Sequence, residues 1–207
     1  RGGVRAFVAA GAVLDEPRSG AMEMAETRYV YDPGQRAFHW AMAAMILVAF
    51  PLGVWAHSLE SGTPLRVQLL FLHKSLGMAA LAALPLRAIL RLMKGAPDYR
   101  APLAPHVRQA SHVAHGLLYA LMAALPITGY VMSGAGDHSI PFFGLFNWPL
   151  VVPVDKALSK ANSAAHYWLA WAGAPVIGLH LAAVVWHRWF KRDEVLARMM
   201  PEGPLSG

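Results

Sequence analysis

Four long runs of apolar residues, separated by polar segments, follow one another from residue 29 onwards. Each run has about 20 residues, and a helix rising about 1.5 Å per residue then crosses the roughly 30 Å hydrocarbon core of a bilayer. The segment from Ser133 to Ser163 is rich in aromatic residues and proline, which is typical of an interfacial cap. The pattern predicts an all-α fold, an integral membrane four-helix bundle. Its predicted spans are Ala37 to Ala56, Val67 to Leu86, His112 to Met132 and Tyr167 to Trp186.

The positive charges lie at the ends of these runs and are divided unequally between the two sides. Of the 18 lysine and arginine residues, 14 fall in the amino-terminal segment, the loop between the second and third runs, and the carboxyl-terminal segment. Because loops rich in Lys and Arg stay on the cytoplasmic side, both termini are predicted to be cytoplasmic. This arrangement accounts for the net charge of +6, so we do not expect a nucleic-acid partner.

The chain divides into one membrane domain and two tails. The amino-terminal tail contains a short apolar piece, Ala6 to Leu14, at the lower limit for the core of a signal peptide. We interpret this tail as mobile, or as sequence upstream of a true start at Met22 or Met24. The predicted divisions are a tail at 1–27, the four-helix domain at 28–201 and a tail at 202–207.

Histidines are the ionisable residues that stand out inside the apolar runs. His166 and His180 both belong to the fourth run, 14 residues or about four helical turns apart, so their imidazoles emerge from nearly the same face. With the predicted orientation, His39 has the depth of His180 near the cytoplasmic surface. His73 has the depth of His166 near the opposite surface. An imidazole within a membrane is costly without a partner, so matched pairs at two depths indicate two buried sites.

The two histidine pairs suit the axial ligation of haem iron, because two neutral imidazoles can provide both axial ligands and bundle cores commonly hold such cofactors. The absence of cysteine excludes thiolate-bound clusters and c-type haem attachment. A zinc site is a weaker alternative, because its ligands would gather at one depth. We therefore expect two haem b groups, an outer one held by His73 and His166 and an inner one held by His39 and His180.

The other histidines are less specific. His187 lies seven residues beyond His180 on the same face, where it is either a snorkelling residue or a proton-exchanging group at a quinone pocket. His112 and His115 share one face at the start of the third run and either contact haem propionates or simply lie at the interface. Three further histidines are expected to be solvated loop residues: His57, His106 and His138.

Six segments carry a resemblance to a known family: QRAFHW at His39, LHKSLG at His73, SHVAHGLLYALMAALPITGYVM, AHYWLAWAG at His166, GLHLAAVVWHRW at His180, and the terminal RMMP. Together they resemble the bacterial cytochrome b561 family, the di-haem b-type cytochromes of the inner membrane. The resemblance runs from about residue 29 to residue 201. It implies that four histidines are the axial ligands: His39, His73, His166 and His180. It also implies transmembrane electron transfer in a multi-pass inner-membrane protein.

The resemblance leaves the electron donor open. Some relatives are similar to superoxide:ubiquinone oxidoreductases, which take electrons from superoxide outside and reduce quinone within the membrane. Others resemble non-enzymatic, haem-bearing anchor subunits that serve a partner dehydrogenase or hydrogenase. The expected partners are thus the lipid bilayer, ubiquinone and a periplasmic donor, which is either superoxide or a redox protein. A haem-free transporter ranks last, because the ionisable groups lie towards the surfaces rather than at the midplane.

Four basic residues of the outer side are candidates for attracting superoxide to the outer haem. The alternative is that these are ordinary loop charges, since nearby acidic residues almost balance them. The four are Arg66, Lys74, Lys156 and Lys160.

Overall fold

The computed structural model describes residues 29–100 and 103–200 and contains four long helices. All four are long and apolar enough to span a membrane, so the predicted all-α membrane bundle is confirmed. Both predicted tails, 1–27 and 202–207, lie outside the described residues, together with the short apolar piece and the possible starts at Met22 and Met24. The helices are α1 (Pro33–Ser58), α2 (Pro64–Lys94), α3 (Pro105–Ala135) and α4 (Lys156–Trp186).

Proline marks both the starts and the interiors of the helices. It occupies the first turn of α1, α2 and α3, where its missing N–H breaks no intrahelical bond. Each helix also continues through one internal proline, which membrane bundles tolerate because neighbouring groups satisfy the freed carbonyls. The internal prolines are Pro51, Pro85, Pro126 and Pro175.

Several helices extend beyond the boundaries that hydrophobicity predicted. α4 begins at Lys156, so the prediction of a loop up to Ser163 was wrong. Asp155 caps this helix by accepting the amide hydrogens of its first turn at 2.7 and 3.0 Å. The loop assignments of His57 and His106 were also wrong, since these residues lie on α1 and α3. In each case the helix continues beyond its apolar run. A change from apolar to polar residues therefore does not show where the helix ends.

The molecule consists of two helical hairpins, α1 with α2 and α3 with α4. α2 also contacts α3. α4 meets α1 through side chains, among them the edge-on rings of Phe50 and Trp171 with centroids 6.1 Å apart. Few residues of the described spans are buried, among them Met42, Leu69 and Met78.

The two ends of the bundle are closed by different segments. At one end, here called the terminal end because the described chain begins there at Tyr29 and ends there at Met200, the backbone amide of Tyr31 donates to the carbonyl of Arg198 at 3.0 Å. At the opposite end, here called the loop end, a two-stranded antiparallel hairpin lies against α2: β1 (Pro141–Phe142) and β2 (Phe146–Asn147). This hairpin belongs to the segment that was predicted to form a cap.

Candidate functional site

Two histidine pairs lie between α4 and the α1–α2 hairpin. At the loop end, His73 of α2 faces His166 of α4, with ring centroids 5.9 Å apart and ring planes at 86°. At the terminal end, His39 of α1 faces His180 of α4, with centroids 6.4 Å apart and planes at 64°. All four imidazoles are partly buried. The structure thus brings together the same pairs that depth predicted from the sequence.

The spacing within each pair suits a metal ion between two imidazoles. Two metal–nitrogen bonds of about 2 Å placed end to end, with a ring radius added on each side, put the centroids about 6 Å apart. A flat group also has room, because a Cβ added at Gly77, one turn after His73, would meet nothing within 4 Å. In the described segments, no three His, Asp or Glu side chains gather into a metal-ion site of their own. The pairs therefore fit haem iron, which brings its own four equatorial nitrogens.

Both loop-end histidines are oriented by backbone carbonyls of neighbouring helices. Nδ1 of His73 donates to the carbonyl oxygen of Ala49 on α1 at 2.8 Å, and Nδ1 of His166 donates to that of Leu125 on α3 at 2.9 Å. The hydroxyl of Thr128 lies 3.2 Å from the same nitrogen of His166. Because a carbonyl only accepts, Nδ1 carries the proton and Nε2 keeps its lone pair for a ligand.

Glycine lets each of these imidazoles approach the helix it contacts. A Cβ at Gly53 on α1 would lie 2.8 Å from the ring of His73, closer than real Cβ atoms come. A Cβ at Gly129 on α3 would lie 3.2 Å from the ring of His166. Each glycine follows the accepting carbonyl by four residues, so the two form a notch on one helix face. We call these pairs, Ala49 with Gly53 and Leu125 with Gly129, the glycine notches.

The terminal-end pair has different neighbours. Nη2 of Arg87 on α2 lies 3.0 Å from Nδ1 of His39, and Nε of the same guanidinium donates to the hydroxyl of Tyr119 at 3.2 Å. A guanidinium only donates, so Nδ1 of His39 is the acceptor in this contact and the neutral ring carries its proton on Nε2. To bind a metal through Nε2, His39 would have to move this proton to Nδ1 and Arg87 would have to turn away from it. The ring of His180 also meets that of His115, with centroids 5.4 Å apart. His115 is exposed although its ring contacts His180, so its role at the haem propionates or at the interface stays a prediction.

His187 begins a π-helical turn that ends α4 (His187–Lys191). Its Nδ1 lies 2.5 Å from Oδ2 of Asp193, and Oδ1 of the same carboxylate accepts the amide of Val195 at 3.1 Å. The chain reverses at Arg192, which has a left-handed φ of 53°. The apolar pattern stops before this reversal, so it contained no signal that Asp193 faces His187.

A family model described as prokaryotic cytochrome b561 matches residues 30–202. The chain belongs to the prokaryotic cytochrome b561 family. Cytochrome b561 homolog 2 of Escherichia coli (strain K12) is 30% identical over 179 residues, which cover 86% of this chain and 95% of that protein. Probable superoxide oxidase CybB of Yersinia pestis is 29% identical over 171 residues, which cover 81% and 94% of the two chains. The resemblance seen in the sequence is thereby confirmed.

Family membership and the four apolar helices together establish the general role of the protein. It is a b-type haem protein that transfers electrons and crosses the bacterial inner membrane several times. The two histidine pairs are the candidate axial ligands for this haem, because imidazole nitrogens are common ligands of haem iron.

The basic residues predicted to attract an anion are not equivalent in this cytochrome. Nζ of Lys74, next to His73 in sequence, donates to the carbonyl of Ser139 in the cap at 2.9 Å. Arg66 is instead tied to the loop between α1 and α2, where it donates to the carbonyl of Leu59 at 2.9 Å. The other two, Lys156 and Lys160, are exposed at the start of α4. Only Lys74 therefore belongs to the surroundings of a histidine pair.

Proposed function

We propose that this cytochrome carries electrons across the inner membrane from superoxide on the periplasmic side to ubiquinone near the cytoplasmic side. One haem b is bound between His73 and His166 and a second between His39 and His180. The observation that carries this proposal is the presence of two imidazole pairs, with centroids 5.9 and 6.4 Å apart, four turns apart along α4. When bound, the two haems supply one-electron transfer, and bis-histidine ligation favours outer-sphere transfer over oxygen binding.

The orientation follows from the distribution of positive charge. We propose that the terminal end faces the cytoplasm, because 14 of the 18 lysine and arginine residues belong to the amino-terminal segment, the loop between α2 and α3, and the carboxyl-terminal segment. The pair His39 and His180 is then the inner site, and the pair His73 and His166 is the outer one.

Superoxide is the proposed donor for two reasons. A relative that is 29% identical is named Probable superoxide oxidase CybB. Lys74 also supports this donor, because its ammonium is partly buried beside the outer pair and its hydrogen bond goes to a neutral carbonyl. A cation at the mouth of a site raises the local concentration of a small anion.

Proton supply to quinone is assigned to His187. Reduction of a quinone takes up protons as well as electrons, and an imidazole exchanges protons at physiological pH. The carboxylate of Asp193, 2.5 Å from Nδ1, holds the ring in one orientation and leaves Nε2 to exchange a proton with the quinone. Asp193 is therefore proposed to act through His187.

The test is superoxide-dependent reduction of a short-chain ubiquinone by the purified, haem-loaded protein in detergent. His187→Gln should keep both haem spectra and their reduction by superoxide, yet slow quinone reduction by about 100-fold, the usual size of a lost general acid–base group. His138→Gln, an exposed loop variant, is the control and should reduce quinone at the wild-type rate. A wild-type rate for His187→Gln would return this residue to the snorkelling interpretation.

The alternative function is a haem-bearing anchor subunit for a periplasmic enzyme. An isolated protein that binds haem but reduces no quinone with superoxide, and that purifies with a dehydrogenase or hydrogenase, would favour this alternative.

A further inference from the structure

We propose that residues 139–154, here called the cap segment, are embedded in the lipid leaflet at the loop end. Their side chains lie at the boundary between headgroups and acyl chains instead of projecting into water. This position follows from the membrane location of the bundle and does not depend on the electron donor or acceptor. Three features of the segment support it: the depth of its contacts with α2 and α3, its outward-facing side chains, and the pairing of its backbone.

The hairpin of the cap segment contacts α2 well inside the apolar run of that helix. Oγ of Ser75 lies 3.1 Å from the carbonyl oxygen of Pro141 and accepts the amide hydrogen of Phe143 at 3.0 Å. Ser75 lies eight residues, or about 12 Å, beyond Val67, where this apolar run begins. A serine side chain is short, so the hairpin lies at nearly the same depth. Because helical residues are about 100° apart, Ser75 faces almost opposite to His73, and the hairpin lies on the side of α2 away from the outer pair.

The second half of the cap segment contacts α3 within its apolar run. The hydroxyl of Tyr130 donates to the carbonyl of Pro149 at 2.6 Å and accepts the amide hydrogen of Val151 at 3.1 Å. One turn further along α3, a Cβ added at Gly134 would clash with the side chain of Val152, so the segment packs directly on the helix. The apolar run of α3 continues for two residues beyond Tyr130. Both halves of the segment therefore lie at a depth that the spans assign to the bilayer.

The surface that the cap segment turns outward is apolar. Residues 139–154 contain no Asp, Glu, Lys, Arg or His. Leu145, at the tip of the hairpin, is 77% exposed, and Val151 is 79% exposed. Four further apolar side chains are at least 40% exposed: Phe143, Phe146, Leu150 and Val154. Exposing such a surface to water is unfavourable, whereas the boundary between headgroups and acyl chains accepts aromatic and aliphatic side chains.

The backbone of the cap segment is paired in a way that suits contact with lipid. The amide of Leu145 donates to the carbonyl of Phe142 at 2.9 Å, and the amide of Trp148 donates to that of Ile140 at 2.9 Å. Three prolines have no N–H that would need a partner: Pro141, Pro149 and Pro153. With the hydroxyls supplied by α2 and α3, these bonds satisfy main-chain groups inside the protein, as irregular backbone near the hydrocarbon requires.

The experiment measures how lipid and water reach single positions of the segment. The chain has no cysteine, so one introduced cysteine is a unique attachment point for a spin label. Leu145→Cys and Val151→Cys are labelled in the haem-loaded protein, reconstituted into vesicles of phosphatidylethanolamine and phosphatidylglycerol. The rates at which the label collides with molecular oxygen and with a polar nickel chelate are then compared. Oxygen concentrates among acyl chains and the chelate stays in water, so the oxygen-to-chelate ratio should be about tenfold higher at both positions than at a residue in water.

Two reference positions and one second-site variant calibrate the measurement. Glu60→Cys, in the exposed loop between α1 and α2, is the water reference at the same end of the bundle. Leu179→Cys, at a position that is 72% exposed on α4, is the lipid reference. Tyr130→Phe added to Val151→Cys frees two main-chain groups and should raise the chelate collisions of that label, while the label at Leu145 should not change. A haem content equal to that of the wild type shows that each variant is folded.

A ratio at the two labelled positions equal to that at Glu60 would place the cap segment in water and overturn the proposal. Low collision rates with both reagents would show that a protein surface covers the segment, either a second copy or a partner, and would also overturn it. The measurement uses neither superoxide nor quinone. A protein with the expected ratios but no quinone reductase activity would therefore contradict the proposed reaction alone.

Discussion

Replacing Arg198 with methionine removes a buried charge that connects three segments at the terminal end. The residue is only 3% exposed. Its guanidinium donates to the carbonyl of Tyr29 at 3.2 Å and to the carbonyl of Pro97, and lies 3.6 Å from the ring centroid of Tyr99. Methionine keeps most of the aliphatic stem and loses every one of these polar contacts, so the variant isolates their contribution to stability.

The magnitude follows from the contacts that disappear. A hydrogen bond from a charged donor contributes about 1.5–3 kcal/mol, and Arg198 makes two of them. A desolvated cation–π contact adds up to about 2 kcal/mol. The freed carbonyls belong to loops at the end of the bundle and regain water, so we expect a net loss of about 3 kcal/mol. For a chain of this size, the corresponding decrease in Tm is about 6–12 °C.

The assay is thermal unfolding of the haem-loaded protein in detergent, compared with Arg108→Met, which removes an exposed arginine of α3. The inner haem signal should broaden below the main transition, because the neighbouring carbonyl of Met199 accepts the indole N–H of Trp40 at 2.7 Å. The ring of Trp40 in turn packs edge-on against His39, with centroids 5.3 Å apart. A Tm for Arg198→Met within about 2 °C of the Arg108→Met value would refute this account of the terminal end.

Three other outcomes are expected. Acid acetone should extract all the haem, because no cysteine is present to bind it, and quantitation should give two haems per chain; a value of one would contradict the two sites. Alanine at either inner histidine should remove one redox component and alanine at either outer histidine the other; if His39→Ala and His73→Ala removed the same component, the pairing would be wrong. The backbone amide of Phe143 in the hairpin donates to the buried hydroxyl of Ser75 at 3.0 Å, and Ser75→Ala leaves this amide without its partner. The variant should destabilise the protein by about 1–3 kcal/mol in thermal unfolding. A Tm equal to that of the exposed Ser139→Ala variant would contradict the role of the hydroxyl.

The membrane spans were readable from the sequence because the bilayer imposes one requirement on all of them. Each span needs about 20 apolar residues, and this requirement alone located α1 to α4. It could not locate the start of α4, whose first two turns are polar and lie beyond the apolar layer. The only sequence mark there is Asp155, and a single aspartate before a polar segment is compatible with a loop as well as with a helix cap.

The pairing of histidines was also readable, because depth in a membrane follows directly from position along a span. The residues that face those histidines were not. Gly53, Gly129 and Arg87 act from helices other than those of the rings they contact, and which ring each one meets depends on how the helices are rotated about their axes. Hydrophobicity contains little information about rotation when nearly every face of a span is apolar. From the sequence, Arg87 is therefore only one of the positive charges at the ends of the apolar runs.

Both histidine pairs include one residue of α4, namely His166 in one pair and His180 in the other, so this helix connects the two sites. One continuous helix therefore fixes the distance between the sites at about 21 Å along its axis. Their partners lie on α1 and α2, the two helices of the other hairpin. Side-chain contacts also tie both ends of the bundle: those of Arg198 at the terminal end and the hydrogen bond of Ser75 to the hairpin at the loop end. Substitutions at these distant contacts should lower haem retention, because they loosen the packing around the helices that carry the imidazoles without touching any histidine.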